Sequence, residues 1–216
     1  MTHLYEEEGR RMGETPVNAG DGQKTVFLIG DSIRMGFLPY AQRALQNEAL
    51  LVSPEENCRY TQYTYTSLSS WKSLVTDPEA VALIYWNNGH WDIAHWDGDA
   101  QSLNTVEQYA AMLERIYRRL RRYFPNAKII FATTSPANPN GIMGVNPRSN
   151  EEISRYNQAA KDIMRALGVQ VDDIYAFLRD WSTDLYADYV HLTDDGFRIL
   201  GEHVAGVIRN ALYQRV

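Results

Sequence analysis

Cysteine is almost absent. Cys58 is the only one in 216 residues, which excludes an intrachain disulfide and removes any need for an oxidising compartment. Long apolar runs are missing too. No stretch is long enough to span a bilayer, and Met1–Lys24 lacks the apolar segment of a secretory leader. A cytoplasmic protein without a membrane span is the expectation. Basic charge is also in short supply. A net charge of −6 argues against nucleic acid as a partner, because neutralising phosphates needs a basic surface. The basic cluster Arg115, Arg118, Arg119, Arg121 and Arg122 falls on an amphipathic segment and reads as a solvated helix face. No G-x-S-x-G elbow occurs, which disfavours the α/β-hydrolase fold despite a Ser…Asp…His order.

What is present is alternation. Residues 1–23 read as an irregular arm, with the charge run Glu6-Glu7-Glu8, and residues 24–216 as one domain. Apolar runs predict strands at Thr25–Ile29, Ala49–Val52, Val81–Trp86, Lys128–Thr133 and Val169–Val171. Helical patterns follow Ser32, with Pro39 tolerated if it falls in the first turn, and follow Asn104, whose spacing to Glu107 predicts a capping box. Ser149 and Glu152 predict a second box, and Thr193 a cap for the last helix. Residues 53–70 read as irregular, with a short helix near Trp71–Val75. The loop Ser135–Arg148 is long enough to act as a lid. Five strand–helix alternations predict a parallel sheet covered on both faces, a three-layer α/β/α sandwich.

Polar residues gather at the strand ends, where ligands bind in open α/β sheets. Ser32 follows the first strand, Asn87 and Asn88 the third, Ser135 the fourth, and Asp188-Tyr189-Val190-His191 precedes the last helix. A serine after Gly30-Asp31 is either a nucleophile or only a helix cap, and Asp-x-x-His is either a catalytic dyad or a local pair. Together they form the set that acyl transfer needs: a hydroxyl, an imidazole to take its proton, a carboxylate to orient the ring, and amide donors for the oxyanion.

In these blocks the chain resembles the Ser-Gly-Asn-His (SGNH, GDSL-type) hydrolases. Gly30-Asp31-Ser32 matches their first block and Asp188-Tyr189-Val190-His191 their last, and the resemblance covers residues 25 to about 210. It implies a flavodoxin-like fold with a five-stranded parallel sheet, Ser32 as nucleophile, His191 as base and Asp188 as its orienting carboxylate. It also implies an oxyanion hole built from the Ser32 backbone, an Asn and a backbone N–H after the second strand. Two blocks depart from the pattern. Asn87-Asn88-Gly89-His90-Trp91-Asp92 replaces Gly-x-Asn-Asp, leaving Asn87 preferred and Asn88 second. Glu56-Asn57-Cys58-Arg59 lacks the second-block Gly, which leaves Cys58 or a neighbour as donor.

Arg34 reads equally as a salt-bridge former or a substrate contact. Asn57 is a substrate-binding candidate, and Trp91, among Trp86, Trp96 and nearby tyrosines, could stack on a sugar. The expected activity is removal of a small acyl group, acetyl first, from a carbohydrate or other small polar ester, without cofactor or metal. Three alternatives remain: a lipase or lysophospholipase-like enzyme, a catalytically silent binding domain, and a metal-dependent hydrolase using His90, Asp92, His95, Asp97 and Asp99. The sequence leaves the oligomeric state open.

Overall fold

The computed structural model describes residues 19–20, 22–144 and 146–213. The expected arm at 1–23 therefore lies largely outside the described residues. Five strands, β1 (Lys24–Ile29), β2 (Ala49–Val52), β3 (Val81–Trp86), β4 (Lys128–Ala132) and β5 (Gln170–Asp172), form one sheet in the order β2-β1-β3-β4-β5. Every pairing is parallel.

Successive side chains on a strand face opposite ways, and the core divides accordingly. Phe27, Ile29, Ile84, Trp86 and Phe131 face one side, against helices α2 (Thr61–Trp71), α4 (Val106–Tyr123) and α5 (Asn150–Ala166). Val26, Leu28, Leu83, Tyr85, Ile130 and Ala132 face the other. There they meet α1 (Ser32–Leu45), α6 (Ile174–Leu178) and α7 (Asp194–Tyr213). These are the three layers that the alternation predicts. Along the sheet, β1 leads outward to β2 while β3 leads the opposite way to β4. The chain thus reverses at β1/β3, which opens a crevice at their carboxyl ends.

α1 and α7 pack unusually close. A Cβ added to Gly36 would lie 2.3 Å from the Phe197 ring, and one on Gly201 would lie 2.8 Å from the Phe37 carbonyl oxygen. Larger residues at either place would force the helices apart.

Several local expectations need correction. Residues 61–71 form a full helix because Thr61, Thr64, Leu68 and Trp71 are buried at helical spacing. The two threonines satisfy their hydroxyls inside the protein, at Asp92 Oδ1 (2.6 Å) and the Cys58 carbonyl (2.9 Å). Pro39 lies in the middle of α1 rather than in its first turn, on an exposed face where a lost backbone bond costs least. The box opening α4 is Thr105 with Gln108, one residue later than expected, because Asn104 is buried and donates to Asp92. The Ser149–Glu152 box forms, and the Thr193 hydroxyl accepts from the Gly196 N–H at 3.3 Å.

Candidate active site

β1 ends at Ile29, and Asp31 begins α1 by accepting the Ile33 N–H at 3.0 Å. Ser32 is thereby the first residue of the helix, at the mouth of the crevice. Across from it, residues 186–192 form a tight turn closed by the Tyr186–Leu192 bridge and the Ala187 N–H to His191 carbonyl bond (2.9 Å). His191 Nε2 stands 2.8 Å from Ser32 Oγ, across 159 residues of sequence, and Nδ1 stands 2.7 Å from Asp188 Oδ2. Asp188 Oδ1 accepts two backbone N–H groups, from Val190 (2.8 Å) and His191 (2.7 Å). Partial desolvation opposes the charge of Asp188. The His191 and Val190 amides and the imidazole outweigh it and hold the carboxyl below its ordinary range. An ionised Asp188 places the ring proton on Nδ1, which leaves the Nε2 lone pair to accept the Ser32 hydroxyl.

The long loop after β4 braces this turn. The Asn138 N–H donates to the Tyr189 carbonyl at 2.8 Å, the Tyr189 hydroxyl donates to the Arg148 carbonyl, and a Cβ on Gly141 would lie 2.9 Å from Tyr189 Cα.

The remaining candidates distribute unevenly. Asn87 lines a cavity of about 10 Å³ together with Ile29, Ile33, Phe37 and Tyr85, while its amide donates to the Ala132 (2.9 Å) and Thr133 (3.3 Å) carbonyls. Asn88 is a core residue. It donates to the Arg59 carbonyl and Thr64 Oγ1, both at 2.9 Å, and accepts from Trp86 Nε1 at 2.7 Å, so its amide is not available to the crevice. The Cys58 N–H is likewise engaged, by the Gly30 carbonyl at 3.2 Å, and burial pushes the Cys58 thiol up to about 11. Among the described residues Arg34 forms no salt bridge, and it lines the same cavity as Asn87. It is buried and donates to the carbonyls of Gly30 (3.2 Å), Pro54 (2.9 Å) and Glu56 (2.5 Å), clamping the segment after β2 onto the Ser32 turn. Asn57 Oδ1 accepts the Arg59 N–H at 2.8 Å. Trp91 is half-buried, its ring 5.1 Å from that of exposed Trp96.

The clustered His and Asp residues disperse. His95 bonds Glu152 at 2.7 Å, Asp92 serves Thr61 and Asn104, and His90 points elsewhere. Among the described residues, no group of three His, Cys, Asp or Glu side chains is placed to hold a metal.

His90 and Arg148, neither of them expected near Ser32 and His191, also lie at this end of the sheet. His90 is buried, its Nε2 2.9 Å from Ser135 Oγ, and burial together with the Arg148 and His191 charges holds it well below the ordinary imidazole range. Arg148 donates to the His90 carbonyl at 2.6 Å. Asp31 Oδ2, His90 Nδ1 and Arg148 Nε are buried without hydrogen-bond partners. Burial raises the Asp31 carboxyl, against the Ile33 N–H and the charges of Arg148, Arg34 and His191. Gly89 explains why no Asn follows Asn88: at φ +157 a Cβ there would fall 1.8 Å from Thr134 Oγ1.

A family model described as GDSL-like Lipase/Acylhydrolase matches residues 28–199, which include every block above. The chain belongs to this family. Among curated proteins it is similar to the GDSL esterase/lipase WDL1 of Oryza sativa subsp. japonica, 20% identical over 61% of this chain and 54% of that one. It is also similar to the GDSL esterase/lipase CPRD49 of Arabidopsis thaliana, 22% identical over 49% of this chain and 45% of that one. The chain thus spans about half the length of the curated relatives it matches. Among solved structures, the acetyl xylan esterase AlAXEase superposes with a TM-score of 0.68 at 17% identity, over 85% of this chain and 99% of that one. Est24, a carbohydrate acetylesterase from Sinorhizobium meliloti, gives 0.65 at 13% identity, over 87% and 99%. At these identities the likeness establishes the GDSL-hydrolase fold. Among the described residues, no helix of this family member is long and apolar enough to cross a membrane.

Proposed function

We propose that this protein is a serine esterase that removes a short acyl group, acetyl first, from a hydroxyl of a carbohydrate or similar small polar molecule. The observation that carries the reading is the continuous chain Ser32 Oγ–His191–Asp188 at 2.8 and 2.7 Å. In this proposal His191 Nε2 takes the Ser32 proton as Oγ attacks the ester carbonyl, and Asp188 stabilises the imidazolium that results. The imidazolium then protonates the leaving alcohol. Water, activated by the same base, releases the acid from the acyl-enzyme. Of the oxyanion candidates we keep the Ser32 backbone N–H, with Asn87 as the side chain at the cavity that would exchange its bonds to the Ala132 and Thr133 carbonyls for the oxyanion. Asn88 and the Cys58 N–H are held deeper, by Arg59, Thr64 and Gly30.

A short acyl group is also favoured by the small cavity lined by Ile33, the residue after Ser32, with Asn87, His90 and Ser135. The cavity's volume of about 10 Å³ is room for one water-sized group, which suits a methyl better than a long chain. The names of the two superposed structures, an acetyl xylan esterase and a carbohydrate acetylesterase, agree with this choice. A cytoplasmic setting goes with the reading, on the lone buried thiol of Cys58.

A fluorophosphonate probe should form an adduct on Ser32 in the folded protein and none in Ser32→Ala. Across nitrophenyl esters of increasing chain length, turnover should peak at acetate. Absence of the adduct would favour a silent binding domain, and a maximum at long chains would favour a lipase-like enzyme.

A further inference from the structure

Arg59 occupies the left-handed backbone region, with φ +52. A side chain there costs about 1 kcal/mol that glycine would avoid. The surroundings hold the bend from both sides. Asn57 Oδ1 accepts the Arg59 N–H at 2.8 Å, Asn88 Nδ2 donates to its carbonyl at 2.9 Å, and Thr64 Oγ1 donates to the Cys58 carbonyl at 2.9 Å. The preceding residue, Cys58, is bonded to Gly30 at 3.2 Å, so the bend sits against the turn that carries Ser32. Strained residues of this kind persist where the surrounding structure over-determines them, and they concentrate at functional sites.

What the bend delivers is an exposed guanidinium. It lies 4.6 Å from the Tyr63 ring centre and 5.9 Å from that of Trp91. Among the described residues no carboxylate forms a salt bridge with it. Trp91 directly follows His90, which lines the cavity that Ile33, the residue after Ser32, also lines. A permanent cation held against aromatic faces, with no carboxylate paired to it among the described residues, is suited to a ring that carries a negative charge.

We infer that Arg59 and Trp91 form a subsite for an anionic group on the substrate's sugar, a carboxylate or a phosphate ester, so that the substrate is an acylated acidic sugar. The inference rests on the esterase reading above and names its substrate class. Trp91 takes the apolar face of the ring, and Arg59 pairs with the anion without touching the scissile ester.

Arg59→Gly is the informative variant, because it deletes the guanidinium while relaxing the backbone. Its thermal midpoint should equal or exceed that of the wild type. The assay compares methyl glucuronoside and methyl glucoside acetylated at the same hydroxyl, with the acetylated glucoside 6-phosphate as a third arm. In Arg59→Gly, kcat/KM for the charged esters should fall at least about tenfold, mainly through KM, with the neutral ester within about twofold. Arg59→Lys should recover part of the loss, and added salt should shrink the wild-type preference. A higher wild-type kcat/KM for the phosphate than for the uronate would assign the anion as phosphate. Equal losses on charged and neutral esters, or a wild type with no preference for charge, would overturn the inference. Calorimetric titration of Ser32→Ala, with and without Arg59→Gly, by unacetylated methyl glucuronoside, methyl glucoside and the glucoside 6-phosphate reads the subsite without turnover. Binding of a charged glycoside that Arg59→Gly abolishes, in a protein that hydrolyses no ester, would sink the esterase reading and keep the subsite. An active esterase that binds charged and neutral glycosides alike would do the reverse.

Discussion

Asp188 holds His191 twice, by the ring at Nδ1 and by the backbone N–H, each at 2.7 Å and each through a different carboxylate oxygen. Asp188→Asn can preserve the backbone bond through its carbonyl oxygen but offers the ring an NH₂, which turns the imidazole to the wrong tautomer. We expect kcat to fall roughly 10²–10⁴-fold with the thermal midpoint nearly unchanged. A variant with wild-type kcat would remove Asp188 from the mechanism.

Arg34 is expected to matter through stability. Arg34→Met keeps much of the buried volume but leaves the Gly30, Pro54 and Glu56 carbonyls without their donor. The loss should be about 2–4 kcal/mol in the urea midpoint analysis. If the variant unfolds like the wild type and loses only substrate affinity, the clamp is misread.

Asp92 supplies a pH signature. Burial raises its carboxyl to about 6, against the hydrogen bonds from Thr61 and Asn104. The folded state therefore favours the protonated form. The stability this confers is fully present below the ordinary value of 3.8 and is lost as pH climbs through about 6. Asp92→Asn retains an acceptor for those donors without the charge. Near pH 4 the two proteins should be about equally stable, and near pH 7 the variant should lead by up to about 3 kcal/mol. A difference that stays constant over this range would contradict the assignment.

Gly89→Ala should destabilise by more than about 2 kcal/mol, because the added methyl meets Thr134 Oγ1. Thr134→Ala in the same chain should recover part of the loss. If the double variant is no better than the single one, the penalty lies in the backbone angle alone.

The strands and the long helices were readable because their apolar residues repeat at strand or helix spacing. α2 was not, since two of its four buried positions are threonines whose hydroxyls find partners only in the tertiary structure. The elements carrying Ser32, Asp188 and His191 were legible because each residue belongs to a short motif at an element boundary. The clamping role of Arg34 was not legible because the carbonyls of Pro54 and Glu56 that it serves come from 20 and 22 residues further on. Arg59 carried no signal. Its left-handed conformation occupies the place where the family pattern leads one to look for glycine, and a charged residue there reads as ordinary surface. His90 and Arg148 meet only through a carbonyl, across 58 residues.

Ser32 opens α1, and His191 sits three residues ahead of Asp194, where α7 begins. On the proposed mechanism, the glycines that let these two helices nest at Phe197 and Phe37 would therefore act as a spacer gauge for proton transfer. A single methyl at residue 36 or 201, remote from any substrate atom, would act through the helices as lever arms and stretch the Ser32–His191 contact. Turnover would then be lost although Ser32, His191 and Asp188 are all unchanged.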